Sequence, residues 1–264
     1  MMIDTTDHKI QNLLGDYFIR ERLEQVNSIC NEIDFKDTYY TKYVKRLFDI
    51  IISVLALIIT LPINLVIGVV TYTTLGRPLF FTQERVGKNG KIIKIIKFRN
   101  MTNECDANGD LLPPQQRLTK IGVFLRKTSL DELLNFWSIL KGDMSLIGPR
   151  ALPLTYLSRY SKRHLGRLKM KPGLECPSWC RLDHPRTWNE QFENDVWYVE
   201  NVSFIVDVLM LVKLIQYTFS HNDSVVRANC QKGSFIGYTC DGKAISNYDL
   251  DDKLIQYILE LKCI

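Results

Sequence analysis

One long apolar run stands out from the mixed pattern of hydrophobic and polar positions along the chain. From Ile50 to Gly76 the sequence carries no charged side chain. At about 1.5 Å per residue, a helix over this run is about 40 Å long, which is enough to cross a bilayer. Pro62 removes a backbone donor, and Asn64 adds an amide that hydrocarbon does not solvate. The run therefore predicts a membrane helix that is broken at Pro62.

Basic residues flank this run on both sides. Lys42, Lys45 and Arg46 precede it, and Arg77 and Arg85 follow it. By the positive-inside rule both ends are cytoplasmic, which favours a re-entrant helix that enters one leaflet and returns. An ordinary span with a kink is the alternative, because a single proline kink is common in membrane helices. A buried helix in a soluble core is a further alternative.

The remaining sequence alternates apolar and polar positions in the manner of a helix-rich, mixed α/β protein. The predicted elements are an amphipathic helix at 10–30, strands at 79–82 and 92–98 joined by a glycine turn at 87–90, helices at 130–141, 153–167 and 204–219, and a closing helix at 250–261. The first helix is typical of a packing or dimer surface.

These elements divide the chain into four regions. The regions are an N-terminal helical extension (1–41), the re-entrant membrane helix (42–77), a central α/β domain (78–220) and a C-terminal extension with a terminal helix (221–264). The fold class is therefore a membrane-associated α/β domain held by a proline-broken helix near its N-terminus.

Composition fits a mostly soluble protein held on a membrane. Charged residues make up 24% of the 264 residues, and the net charge is +5. This mild positive excess favours anionic lipid headgroups or phosphorylated substrates and is too small to indicate nucleic acid. The seven cysteines form an odd, irregular set, and the first residues lack the layout of a signal peptide. We therefore expect reduced thiols in the cytosol.

The main candidates for chemistry are Asp131 and Glu132. Ser129 followed by Glu132 matches a capping box, which alone would explain both residues structurally. In a first helical turn, however, Asp131 would lie where backbone N–H groups gather anions such as phosphate. A carboxylate there stays deprotonated and can attack phosphorus. Glu132 would point about 100° away around the helix and could orient a metal ion.

Cations suited to phosphate occur in the same region. Lys97 and Arg99 share one face of a predicted strand, Arg126 precedes the acidic pair, and Arg150 closes a glycine-containing turn. Taken singly, each is more typical of a solvated surface charge. Together they suit a phosphate site, in which Mg²⁺ would bridge a diphosphate to carboxylates.

Several motifs follow one another in order. They are Lys45-Arg46-Leu47-Phe48-Asp49, Phe81-Thr82-Gln83-Glu84-Arg85-Val86-Gly87, Lys97-Phe98-Arg99, Leu125-Arg126, Ser129-Leu130-Asp131-Glu132-Leu133, Gly142-Asp143-Met144-Ser145, Ile147-Gly148-Pro149-Arg150, Lys171-Pro172-Gly173 and Asp195-Val196-Trp197-Tyr198-Val199-Glu200-Asn201. In these motifs the chain closely resembles the bacterial sugar transferase family, whose small members are monotopic phosphoglycosyl transferases. The resemblance covers roughly Lys42 to Phe219.

The resemblance implies an enzyme at the cytoplasmic face of the inner membrane. It would transfer a sugar 1-phosphate from a UDP-sugar to a polyprenyl phosphate, releasing UMP, in the first membrane step of surface glycan synthesis. Asp131 would be the nucleophile that forms an aspartyl phosphosugar intermediate, and Glu132, with Asp131, would hold Mg²⁺. The implied phosphate contacts are Arg126, Arg150, Lys97 and Arg99. A homodimer through the N-terminal helix is a further expectation.

The chain departs from the family pattern at three places. Leu61 stands before Pro62 where the family often has serine, and Ala151 replaces a proline. The sequence Leu174-Glu175-Cys176 replaces Ile-Thr-Gly. The last change raises an alternative function, a non-enzymatic membrane-bound homologue that binds nucleotide sugar or a glycan-assembly partner. A soluble nucleotide-binding protein is a third hypothesis.

A metal pattern of another kind occurs after this stretch. Cys176, Cys180 and His184 follow one another at intervals of four residues. Zinc sites more often combine two separate ligand pairs, and no second pair is evident, so unpaired cysteines are the plainer interpretation. His164 is predicted to lie on a helix surface and not to act as a base.

Overall fold

The computed structural model describes residues 7–261 except 108, 110, 113, 181–183, 185 and 220–232. Within these ranges its helices and strands follow the predicted mixed order. The helices are α1 (His8–Phe18), α2 (Glu24–Ile29), α3 (Lys45–Leu75), α4 (Pro114–Arg117), α5 (Lys120–Thr128), α6 (Asn135–Lys141), α7 (Lys162–Leu165), α8 (Trp188–Asn201), α9 (Phe204–Phe219) and α10 (Asp252–Glu260). The strands are β1 (Phe80–Val86), β2 (Ile92–Phe98), β3 (Ser145–Ile147), β4 (Gly173–Glu175), β5 (Phe235–Tyr238) and β6 (Ala244–Ser246).

The apolar run forms one helix that is long and apolar enough to cross a membrane. A π-helical turn, Tyr40–Val44, leads directly into α3. The sequence predicted a break at Pro62. The helix instead continues through Pro62 as a single helix. Thr60 Oγ1 accepts a hydrogen bond from Asn64 Nδ2 at 3.2 Å, which gives the Asn64 amide a partner within the helix. The return of the chain to the same membrane face remains a prediction.

The N-terminal part of α3 is fastened to the α/β domain by buried charges. Asp207 of α9 accepts hydrogen bonds from Lys45 Nζ at 2.7 Å and from the hydroxyls of Tyr40 and Tyr198, both at 2.5 Å. Asp49 accepts hydrogen bonds from the first two residues of β3, at 3.0 and 2.9 Å. Because buried charges need partners, these contacts fix the start of α3 on the domain.

The C-terminal end of α3 lies on the same domain. The guanidinium of Arg99 donates to the carbonyl oxygens of Leu75, Gly76 and Arg77, the last two at 3.2 Å. The final carbonyls of a helix lack intrahelical partners and carry partial negative charge, so an arginine stabilises them. Ile67 adds apolar packing with the core around Phe98. Both ends of the apolar helix therefore pack on one domain.

The strands form three two-stranded sheets within the described ranges. β1 and β2 pair as an antiparallel hairpin in which Phe80 lies opposite Phe98. The turn places Asn89 and Gly90 at φ 55° and 77°, a conformation that asparagine and glycine tolerate best. This hairpin confirms the predicted turn, although β1 extends further than the predicted 79–82. β3 and β4 pair in parallel, which places Glu175, the last residue of β4, near the loop after β3 that carries Arg150.

The two terminal extensions pack on each other. The apolar face of α1, including Leu14 and Phe18, contacts β5 and α10 in a buried cluster with Ile236 and Ile255. A Cβ on Gly237 would lie 2.5 Å from the Phe18 side chain, so this strand needs a glycine to approach α1. The predicted amphipathic face of the first helix therefore serves as a packing surface within the chain. A homodimer remains a prediction.

Two predicted helices are wrong in detail, and two are confirmed. The stretch 153–167 forms a 3₁₀ helix, Leu154–Arg159, followed by the short α7. Ser161 accepts a hydrogen bond from the His164 backbone and starts α7 as a new helix. The stretch 130–141 is likewise divided, into a 3₁₀ turn and α6. α9 and the closing helix α10 agree with prediction.

Candidate active site

A left-handed residue places the acidic pair. Ser129 has φ 55° and ends α5, its backbone N–H bonding to the Leu125 and Arg126 carbonyls. The chain then makes a 3₁₀ turn, Leu130–Glu132. The predicted capping box is therefore wrong, because Ser129 serves as the C-terminal cap of α5 and its side chain does not cap the next turn. This turn places Asp131 in the protein interior.

Asp131 is almost fully buried. Its side chain accepts a hydrogen bond from Asn100 Nδ2 at 3.0 Å. Burial raises the pKa of Asp131, and Glu132 adds to the rise, while the positive charges of Lys97 and Arg126 oppose it. The net direction is the reverse of the sequence expectation, since a single 3₁₀ turn offers fewer aligned amides than an α-helix and burial outweighs them. Ionised Asp131 is consequently a poorly solvated carboxylate.

The net pKa shift of Glu132 is opposite to that of Asp131. Lys97 Nζ donates to its Oε1 at 2.5 Å, and Arg150 Nη2 lies 3.7 Å from the same oxygen. Burial alone would raise the pKa of Glu132, but the charges of Arg150 and Lys97 outweigh it and the pKa is lowered. Glu132 is therefore held as an anion between two cations.

The predicted cations divide into two groups. Lys97 and Arg150 contact Glu132 directly, and Arg126 reaches Asp131 through Asn100, whose Oδ1 lies 3.4 Å from Arg126 Nη2. Arg99 is directed instead at the end of α3. The strand period does not extend to Arg99, because β2 ends one residue earlier at Phe98.

Sequence reasoning missed two residues of this site. Asn100 orients Asp131, and its only sequence signal is its place directly after the Lys97-Phe98-Arg99 motif. A Cβ on Gly122 would lie 2.0 Å from the Asn100 carbonyl oxygen, so α5 can pack here only because it has a glycine. Glu175 of β4 accepts a hydrogen bond from Arg150 Nη1 at 2.6 Å. The sequence indicated a change at this position but no role for it.

The zinc pattern is not assembled. Cys176 is buried and accepts a hydrogen bond from Asn194 at 3.3 Å, Cys180 is exposed, and His184 contacts Glu190 at 2.7 Å. In the part of the chain that the structure describes, no group of three or more metal-ligating side chains occurs. Cys176 and Cys180 are both free thiols.

His164 is buried, not on the surface as predicted. Its ring nitrogens lie 2.9 Å from the Tyr238 hydroxyl and 2.9 Å from a Glu193 carboxylate oxygen. Burial lowers the pKa of His164, although the hydrogen bond to Glu193 opposes the change. Through Tyr238, this group connects the C-terminal extension to α7 and α8.

The sequence of this chain is similar to those of several known proteins. The model of the family described as bacterial sugar transferase matches residues 40–221. The uncharacterized sugar transferase EpsL of Bacillus subtilis is 43% identical over 169 residues, 63% of this chain and 83% of that protein. The UDP-glucose:undecaprenyl-phosphate glucose-1-phosphate transferase of Klebsiella pneumoniae is 38% identical over 177 residues, 63% of this chain and 38% of that protein.

A third relative gives a similar match. The undecaprenyl-phosphate galactose phosphotransferase of Salmonella typhimurium is 33% identical over 190 residues, 66% of this chain and 40% of that protein. The chain thus spans about two fifths of the length of the Klebsiella and Salmonella relatives.

Proposed function

The chain belongs to the bacterial sugar transferase family, and from this premise we propose that it transfers a sugar 1-phosphate from a UDP-sugar to a polyprenyl phosphate such as undecaprenyl phosphate. UMP is the second product, and the lipid-linked sugar begins a surface glycan. The names of two relatives state an undecaprenyl-phosphate acceptor. One of these names also states a UDP-sugar donor.

The observation that carries this proposal is that the acidic pair lies close in space to the C-terminal end of α3. Arg99 binds the carbonyl end of α3, and the next residue, Asn100, binds Asp131. A candidate nucleophile therefore lies beside the end of a helix of membrane length. A lipid phosphate at the headgroup plane and a nucleotide from the cytosol could both reach such a position.

The proposed chemistry consists of two displacements at one phosphorus atom. The Asp131 carboxylate attacks the phosphate next to the sugar, the bond to the UMP oxygen breaks, and UMP leaves with the electron pair. An oxygen of the polyprenyl phosphate then attacks the aspartyl phosphosugar, and Asp131 leaves as a carboxylate. Lys97 and Arg150 would place positive charge beside the phosphate oxygens, on which negative charge develops during each displacement. Splitting one displacement into two predicts ping-pong kinetics.

The acidic pair is suited to Mg²⁺ by its donor chemistry. Mg²⁺ usually takes one or two protein carboxylates and completes its shell with water and substrate phosphates. Glu132, with Asp131, would hold the ion, in competition with Lys97 for Glu132. When bound, Mg²⁺ would neutralise charge on the diphosphate and on departing UMP.

We further propose that α3 is re-entrant and that the protein is monotopic on the cytoplasmic face. Lys45 and Asp49 near one end of α3 and Leu75 at the other contact the same domain, whereas mid-helix residues such as Ile58 and Ile59 are exposed. A helix that crossed the bilayer would have its ends on opposite sides. These contacts support the re-entrant arrangement over a simple span.

A direct assay tests the reaction. Detergent-purified protein, undecaprenyl phosphate and Mg²⁺ are combined with a panel of UDP-sugars, and UMP release is measured. Release with one donor supports the enzyme, and Asp131→Asn should abolish it.

One observation favours the second candidate, a non-enzymatic homologue that binds nucleotide sugar. Arg150 is already paired with the carboxylate of Glu175. No UMP from folded protein across the whole panel, with retained binding of a UDP-sugar, would establish this alternative.

A further inference from the structure

Arg150 lies between two carboxylates that come from different parts of the chain. Its Nη1 donates to Glu175 Oε2 at 2.6 Å, and its Nη2 lies 3.7 Å from Glu132 Oε1. The negative charge of Glu175 raises the pKa of Arg150 more than the negative charge of Glu132 does. The strongest contact of this cation is thus with a residue outside the acidic pair.

The backbone fixes the position of the Glu175 carboxylate. Glu175 is the last residue of β4 and pairs with Ile147 of β3. Its Oε1 accepts a hydrogen bond from the Cys176 backbone N–H at 3.1 Å, and Arg186 Nη1 lies 4.0 Å from the same oxygen. If Arg150 moved to another anion, Glu175 would keep these two partners. Breaking the contact would therefore not leave a carboxylate without partners.

The pair is also accessible to a ligand. The side chains of Arg150 and Glu175 are 41% and 32% exposed. Carboxylates and phosphates bind the same N–H edge of a guanidinium, and both form charge-assisted hydrogen bonds with it. A phosphate that takes the Nη1 hydrogen now bonded to Glu175 would therefore replace the Glu175 oxygen.

We propose that Glu175 is an internal anion that the diphosphate of the donor displaces from Arg150, and that this exchange lowers the affinity for the donor. The inference rests on the proposed function for the identity of the donor, but its physical content is a competition between two anions. Glu175 acts through Arg150 and is a positioning residue. It determines how much of the binding energy of Arg150 is available to the substrate.

The test is Glu175→Gln, which keeps the size of the side chain and an acceptor for the Cys176 N–H but removes the charge. Inorganic diphosphate with Mg²⁺ is titrated calorimetrically into the detergent-purified full chain. We expect binding to become about threefold to tenfold tighter, a gain typical of a partly exposed, charge-assisted pair. In the UMP assay the donor KM should fall by a similar factor while kcat stays unchanged.

Two further variants isolate the effect. Glu84→Gln removes an equal charge from an exposed position of β1 and should change neither quantity. In an Arg150→Gln background, Glu175→Gln should give no gain, because the competition requires Arg150. A thermal unfolding curve for each variant verifies that the fold is retained.

The outcomes separate this inference from the proposed reaction. Unchanged or weaker diphosphate binding in folded Glu175→Gln overturns the inference, even if UMP is released. Tighter binding without UMP release supports the inference and refutes the proposed reaction. A gain that persists in the Arg150→Gln background also overturns the inference, since the charge of Glu175 would then act elsewhere.

Discussion

Replacing Asp131 with asparagine should stabilise the fold while it abolishes turnover. Asp131 is 5% exposed and accepts a hydrogen bond from Asn100 Nδ2. Burial raises the pKa of Asp131, and the neighbouring Glu132 adds to this rise against Lys97 and Arg126. Its ionised form is therefore less stable in the folded chain than in water. An asparagine can accept the same hydrogen bond without carrying the charge.

The sign and size of the effect follow from this environment. The folded-state pKa of Asp131 lies above the unfolded value of about 3.9, so the folded chain binds the proton more tightly. The penalty is absent below about pH 3.9 and reaches its full size as pH rises through the folded-state pKa. At pH 7.5 we expect Asp131→Asn to raise the free energy of unfolding by about 1 to 3 kcal/mol. The Tm should rise by about 2 to 10 °C.

The neighbouring acid provides the matched comparison. Burial opposes ionisation of Glu132, but Arg150 and Lys97 lower its pKa overall. Its charge thus contributes stability above the unfolded value of about 4.3, and this contribution is lost as pH falls through the folded-state pKa. Glu132→Gln should lower the Tm at pH 7.5. The two substitutions therefore have opposite effects, although the residues are adjacent.

The assay is thermal unfolding of detergent-purified variants at about pH 7.5 and about pH 4.5, the lower value close to the unfolded carboxylate pKa values. The exposed-site variant Glu84→Gln serves as the control and should match the unsubstituted chain. The stabilisation by Asp131→Asn should shrink at the lower pH. A lower Tm for Asp131→Asn at the higher pH, or a gain that increases on acidification, would refute the reasoning.

Three other predictions follow from the same contacts. Asp207→Asn should lower stability by about 3 to 5 kcal/mol, because it leaves Lys45 buried without its counter-charge; an unchanged Tm would contradict this. In a background with the seven native cysteines replaced by serine, cysteines introduced at Lys36 and Arg77 should both react with an impermeant thiol reagent from the cytoplasmic side, whereas a spanning helix would expose only one there. The acid limb of kcat/KM should follow the raised pKa of Asp131, because protonated Asp131 cannot attack; a limb below the ordinary aspartate range would exclude that assignment.

Helices with a clear local hydrophobic pattern were predicted correctly from the sequence. The apolar run of α3 and the periodicity of α9 need no distant partner to be recognised. The stretch 153–167 was harder, because its helix is interrupted where Ser161 starts a new one. At Ser129 no pattern indicates a left-handed backbone, which is uncommon outside glycine. The backbone conformation of Ser129 therefore determines how the 3₁₀ turn with Asp131 and Glu132 is oriented relative to α5.

The site itself was only partly predictable. Adjacent residues such as Asp131 and Glu132 are found together in any fold, but the pairing of Glu132 with Lys97 depends on how β2 packs against the 3₁₀ turn. Arg99 looked equivalent to Lys97 because the two are separated by one residue. In the structure, however, Arg99 lies beside the end of α3 and donates to its carbonyl oxygens. No sequence pattern indicates this contact.

The opposite environments of the two acids suit the two roles proposed for them. Glu132 is kept ionised by fixed cations, as a residue that holds charge throughout a reaction should be. Asp131 is poorly solvated. In the proposed reaction its negative charge would be costly until it attacked phosphorus, when that charge would pass to departing UMP. Forming the proposed aspartyl intermediate would thus relieve the cost of burial, and the low solvation of Asp131 would lower the barrier to the first displacement. A pair of acids whose pKa values are shifted apart is the arrangement expected when neighbouring carboxylates have different tasks.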